Sequence, residues 1–290
     1  MPNGKRRAQQ LNRNIAQGRK RATRMLGTAQ RAVVGTIAQF SALPNFATNA
    51  AVRNKMFTEL GKQYKVLNTN VNEWVDSEVK ITAKNFWTYA REDLPKGAVA
   101  GTFGAFSKKH VADIVGLINP GTVNSQVAMN AHVGGMLTSD IRAVRAAVST
   151  TIAEGAVEGL TNRKLAKRME EKVRKATGRF TFKDKRGRNW TADNYFGMLN
   201  RTLHATAARQ TYITEATEEL GYDLYKIEGG VTGSSNVYED DPCDDWAGKI
   251  ISMTGATKGY PTYADAIAAG VFHPNCVHFV RALLPSEVER

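Results

Sequence analysis

The stretch from Tyr238 to Pro285 constrains the fold more than any other part of this sequence. It reads YEDDPCDDWAGKIISMTGATKGYPTYADAIAAGVFHPNCVHFVRALLP and holds both cysteines of the chain, Cys243 and Cys276, with His273 and His278 beside the second. An acidic run leads into Cys243 and Trp246-Ala-Gly-Lys follows it. Then come a Gly/Thr-rich turn, Tyr260-Pro261, a short Ala-rich helix, and Gly270-Val-Phe-His-Pro-Asn-Cys-Val-His. Neither end carries enough apolar surface to fold by itself. The two cysteine-bearing loops are therefore expected to fold back on one another as one compact knot, which the rest of the chain carries or delivers.

Three chemistries fit that knot. Cys243, His273, Cys276 and His278 make a Cys2His2 set, and zinc takes thiolate and imidazole in a tetrahedral array. The spacing departs from a standard finger, because the first loop offers one ligand; Asp240, Asp241 or Asp245 would supply an oxygen in its place. A Cys243–Cys276 disulfide is the second reading, disfavoured in the reducing compartment that so few cysteines imply. In the third the residues only pack: Cys276 and Phe272 are buried, both imidazoles bond to backbone, and Pro274-Asn275 makes the turn. Catalysis is not expected. Nothing resembling a peptidase signature surrounds Cys276, Glu215, Glu218 and Glu219 read as a solvated helix face, and nucleotide-type phosphate loops are absent. No cofactor beyond zinc and no small-molecule substrate is implied.

Charge is distributed unevenly. Met1 to Thr58 contains eleven basic residues and no acidic one, whereas the remainder carries 29 basic and 27 acidic groups. Residues 1–25 have few large apolar side chains and read as an arm disordered until bound. Lys5, Arg6, Arg7, Arg13, Arg19, Lys20, Arg21 and Arg24 are its candidate contacts to a polyanion, DNA phosphate first among them; a solvated tail or a protein-covered segment is the plainer alternative. No apolar run approaches the roughly 18 residues that span a bilayer, and no signal-type apolar segment follows the basic start, so synthesis and retention in the cytosol are expected.

Between arm and knot the pattern is helical. Residues 26–135 read as a helical region with a break at Leu43-Pro44-Asn45, an amphipathic helix from Val71 to Leu94, and a Gly/Ala-rich connector from Gly97 to Gly135. The connector's small residues would also suit a membrane-active role during delivery. His110 and His132 lie in it as lone structural histidines. Residues 136–290 form the third segment. Ser139 caps a helix ending near Gly159, Thr161 starts another that stops at Gly178, and residues 180–190 make a small hairpin with a Lys-Arg-Gly turn. Thr191 or Asp193 caps a long helix to Leu220, stopped by Gly221. Tyr222 to Glu228 is a strand feeding a Gly/Ser-rich loop. The expected class is α+β, predominantly α, with a small mixed C-terminal module of short strands.

The order of signals after the Thr161 helix resembles phage minor capsid proteins of the minor capsid protein 2 group. More loosely, it is similar to the head-morphogenesis family typified by the Mu F protein. The residues that carry the likeness are Gly187-Arg188-x-Trp190, Tyr195, Arg201-Thr202, Trp246-x-Gly248-Lys249, Tyr260-Pro261 and Gly270-x-Phe272-x-Pro274-Asn275-Cys276-x-His278. The looser family often has Cys-x-x-Cys where this chain has Cys243-Asp-Asp-Trp246, and Arg where it has Val277. The resemblance implies a non-enzymatic, low-copy protein of the virion head, assembled in host cytoplasm. Its implied partners are the portal protein, the major capsid protein and packaged DNA. A virion protein ejected with the genome, binding DNA or membrane during delivery, is the alternative.

Overall fold

The structure, a computed structural model, describes residues 2–43, 45–46, 49–94, 101–117, 126–177, 181–183, 187–229, 242–276 and 278–288. It is mainly helical with two small antiparallel sheets toward the C-terminus. Helix α1 spans Pro2–Ser41, α2 Ala50–Asp93, α3 Phe103–Leu117, α4 Gln126–Glu158 and α5 Asn162–Ala176. Strands β1 (Thr181–Lys183) and β2 (Asn189–Thr191) pair before α6 (Ala192–Thr214), which continues through a π-helical turn at Glu215–Glu219. Then follow β3 (Leu224–Glu228), a 3-10 turn at Asp244–Trp246, β4 (Ile250–Ser252), α7 (Tyr263–Ala268), β5 (Phe279–Ala282) and α8 (Pro285–Val288).

The chain groups into two compact units built from separated stretches rather than from consecutive segments. One takes residues 1–20, 74–125 and 197–290, the other 21–73 and 126–196. Helices α1, α2 and α6 each contribute residues to both.

Residues 2–25, expected to be without order, are helical throughout. The first turns of α1 bury Arg7, Ala8, Leu11 and Asn14, so small and polar groups share with Leu11 the work that large apolar ones usually do. Asn14 Nδ2 donates to Thr82 Oγ1 at 3.2 Å, Thr82 Oγ1 meets His204 Nδ1 at 2.6 Å, and His204 Nε2 lies 3.4 Å from the buried Glu78 carboxylate. Asn200 Nδ2 adds a bond to the Ile15 carbonyl at 2.8 Å. Gly18 is the α1 residue facing this network, and a Cβ there would collide with Asn200 and His204. This polar seam ties α1, α2 and α6 beside the apolar cluster that Leu11, Phe86, Ala90, Ala208 and Tyr212 form between the same helices.

The same unit holds the three-stranded sheet, ordered β4-β3-β5 with both neighbours antiparallel to β3. Tyr225 pairs with Ile251 on one side and Ala282 on the other, and Ile227 with Val280. Leu224, Tyr225 and Ile227 are buried while Lys226 is exposed. Phe279 reaches from the sheet to Phe86 of α2 and Tyr212 of α6, with centroids 5.4 Å and 5.3 Å away. Gly221 follows the π turn at φ +73°, the left-handed conformation that ends a helix.

In the second unit α4 packs along α5. Gly155 allows the approach, since a Cβ there would meet the Leu165 side chain. The buried Tyr64 hydroxyl donates to Asp140 at 2.7 Å, and burial first, then that carboxylate, push the phenol well above its ordinary range. Several helix starts lie earlier than the sequence suggests. Asn49 Oδ1 accepts from the amides of Ala51 and Val52 and so opens α2 well before Val71 is reached, through a run of mostly polar helix. Ser139 lies inside α4, which begins at Gln126 and ends before Gly159 at φ +61°. The Lys-Arg pair of the hairpin turn, the Gly178 stop, Pro44 and residues 97–100 and 118–125 of the Gly/Ala-rich connector lie outside the described residues, while α3 and the start of α4 occupy most of the rest of that connector.

Candidate metal centre and cationic helix face

Sheet topology brings the cysteines together. Both β4 and β5 run antiparallel to β3, so both begin at the end of the sheet where β3 finishes. The loop before β4 carries Cys243 and the loop before β5 carries Cys276. Extra ladder bonds between Ile227 and the residues Gly248 and Lys249, 2.8 and 2.9 Å long, hold the first loop against that end.

The second loop is a tight reversal. Gly270 follows α7 at φ +88°, and an added Cβ would stand 3.3 Å from Pro242 Cγ, next to Cys243. Only glycine meets both demands, the left-handed backbone and the close approach. Phe272 and Asn275 also have positive φ, 64° and 74°. Their conformations are held from outside. The Phe272 ring stacks on Tyr263 at 5.7 Å and lies 4.2 Å beneath the Arg209 guanidinium, and the Asn275 amide donates to Thr202 Oγ1 at 2.9 Å. Arg209 donates to the His278 carbonyl at 3.2 Å, so α6 grips both sides of the turn.

The result is a cluster. Cys243 Sγ and Cys276 Sγ are 3.4 Å apart as free thiols, both buried, and Cys276 Sγ lies 3.4 Å from His278 Nδ1. One donor atom from each of Cys243, Cys276 and His278 falls within 4.8 Å of the others. The His278 amide donates to Cys276 Sγ at 3.3 Å. His273 hydrogen-bonds the Cys243 thiol without joining that tight trio, and its Nδ1 meets the Pro274 carbonyl at 2.8 Å. The Cys276 hydrogen bond, then burial, push the Cys243 thiol up to about 11, against the pull of His273 and His278. The Cys243 thiol is thus held neutral in the absence of a cation. Asp245 is exposed and no donor of the trio, and Asp240 and Asp241 lie outside the described residues.

The nucleic-acid candidates divide. Lys5, Arg13, Arg19, Lys20 and Arg24 are exposed, and Arg21 is half-buried. Arg6 is exposed but bonds Glu92 at 2.9 Å and overlies Tyr89. Arg7 is 3% exposed, pairs with Asp93 and with Glu228 at 3.2 Å, and sits over the Tyr212 and Phe279 rings. It is a core ion pair and has no surface for phosphate. The acidic group on the π turn also differs from expectation: Glu215 is buried against Arg91 at 2.6 Å, while Glu219 meets Lys109 at 3.0 Å.

Sequence reasoning passed over two groups that shape the site. Arg209 is one. The other is Asp223, whose carboxylate accepts from Ser252, Thr254 and Thr257 and pins the loop after β4. Only the Ser/Thr-rich composition of residues 252–257 signalled such a cradle. Among the described residues no helix is long and apolar enough to cross a membrane.

The model of the family described as Phage minor capsid protein 2 matches residues 141–288, just over half of the chain. No curated protein and no solved structure gives a significant match.

Proposed function

The chain belongs to the phage minor capsid protein 2 family, and from that membership we propose a non-enzymatic, low-copy protein of the virion head, placed near the portal or in the capsid interior. A structural role in the phage particle follows from the family itself. The finer placement draws support from charge: α1 carries no acidic residue, and Lys5, Arg13, Arg19, Lys20 and Arg24 face solvent. A packaged head interior is crowded with phosphate, and a cationic helix face suits packaged DNA or an acidic surface of the portal or major capsid protein. This reading gives the Cys/His cluster a fastening role in the C-terminal module, with zinc, where bound, structural rather than catalytic.

The observation that carries the assignment is the family match over residues 141–288. Its test is quantitative mass spectrometry of gradient-purified particles before and after DNA release. The proposal expects a few copies per DNA-filled head, retained when the genome leaves. Absence from filled heads contradicts it, and loss together with the genome makes the protein an ejected one instead.

A further inference from the structure

We propose that the protein binds one zinc ion through Cys243 Sγ, Cys276 Sγ and His278 Nδ1, with His273 Nε2 as the fourth ligand. The inference stands on the site geometry and does not depend on the virion assignment.

Zinc bonds to thiolate sulfur and imidazole nitrogen at about 2.3 and 2.0 Å, so a tetrahedral site has S–S edges of about 3.8 Å and S–N edges of about 3.5 Å. The Sγ–Sγ separation of 3.4 Å and the Cys276 Sγ–His278 Nδ1 separation of 3.4 Å are close to those edges. Three donors are therefore already gathered within 4.8 Å of one another. A disulfide needs sulfurs about 2.05 Å apart, so the thiols stand nearer to ligand spacing than to bonding distance.

The surrounding hydrogen bonds prepare each ligand. The His273 Nδ1–H donates to the Pro274 carbonyl at 2.8 Å, which fixes the tautomer and leaves the lone pair on Nε2, and the ring also hydrogen-bonds the Cys243 thiol. The His278 amide, 3.3 Å from Cys276 Sγ, supports negative charge on that sulfur. Arg209 and Thr202 hold the backbone of the ligand turn through the His278 carbonyl and the Asn275 amide. The positive φ values of Phe272 and Asn275 then acquire a reason: they reverse the chain tightly enough to bring Cys276 and His278 against Cys243, with His273 on the same turn.

Binding exchanges protons for metal. Each thiol releases one proton as its sulfur bonds to Zn2+, both imidazoles bind neutral, and the finished site carries no net charge, which suits a buried position.

The test uses the full-length protein purified under reducing conditions without added metal. Elemental analysis is expected to find one zinc per chain, and zinc-edge X-ray absorption to find two sulfurs at about 2.3 Å and two nitrogens at about 2.0 Å. Cobalt substitution should give sulfur-to-metal charge-transfer absorption, weakened in Cys276→Ser and retained with shifted ligand-field bands in His273→Ala. A chain that neither carries nor takes up zinc overturns the proposal, as does a set of metal ligands without two sulfurs. The absorption data come from the wild-type protein, so they decide the matter even where a variant fails to fold.

Discussion

Replacing Arg7 by alanine separates a folded helix from a free arm. In the structure the Arg7 guanidinium faces Asp93 and Glu228, with side-chain exposures of 4%, 9% and 30%. Removing one member of a buried pair costs about 3–5 kcal/mol, because the remaining charge keeps its desolvation cost and loses its attraction. Glu228 can turn toward water and Asp93 keeps other contacts, so the lower end, about 3 kcal/mol, is expected for Arg7→Ala. Arg7→Met should recover part of that by keeping apolar contact with the Tyr212 and Phe279 rings. Urea unfolding followed by tryptophan fluorescence reads the loss as a midpoint lowered by about 1 M or more with an unchanged slope. A double-mutant cycle with Asp93→Ala should show strong coupling. An unchanged midpoint, together with weaker DNA binding, would refute the reasoning and return residues 1–25 to the status of a loose arm.

Other outcomes follow from single contacts. Gly18→Ala drives a Cβ into Asn200 and His204 and should lower stability by about 1–3 kcal/mol in a thermal melt, where Gly35→Ala, with open space around it, should not. Gly270→Ala combines left-handed strain with the Pro242 contact at 3.3 Å, so it should destabilise the C-terminal module and weaken metal uptake together. At Asp223 burial raises the carboxyl, but the bonds from Ser252, Thr254 and Thr257 outweigh it and hold the group well below the usual carboxylate range. Its contribution is therefore complete above about pH 4 and fades as pH falls further; Asp223→Asn should be less stable at neutral pH and flatter in acid, a difference lost if the loop bonds are incidental. Charge reversal at Arg13 and Lys20 should reduce the salt slope of DNA binding by about one per phosphate contact removed, and an unchanged slope would eliminate them as contacts.

Much of the C-terminal half was legible because its signals are local. Gly159 and Gly221 mark helix ends through their own backbone needs. Gly270, Pro274-Asn275 and the two cysteines announce a tight reversal around something small. What stayed hidden depends on distant partners. Arg7 reads as one more surface cation until Asp93 and Glu228 arrive from 86 and 221 residues away. The first turns of α1 bury Ala8 and Asn14 and set Gly18 against α6, residue types that give no hydrophobic signal, and the polar residues before Val71 concealed the start of α2.

The central claim is that the loops before β4 and β5 close on each other at one end of the sheet. Since Cys243 and Cys276 are the only cysteines in the chain, mild oxidation of the chelator-treated protein tests it directly. Mass spectrometry should find monomer lighter by the two thiol hydrogens, with one peptide pair joining Cys243 to Cys276. Monomer that keeps both thiols, or that links only to other copies, would contradict the closure on which the site is built.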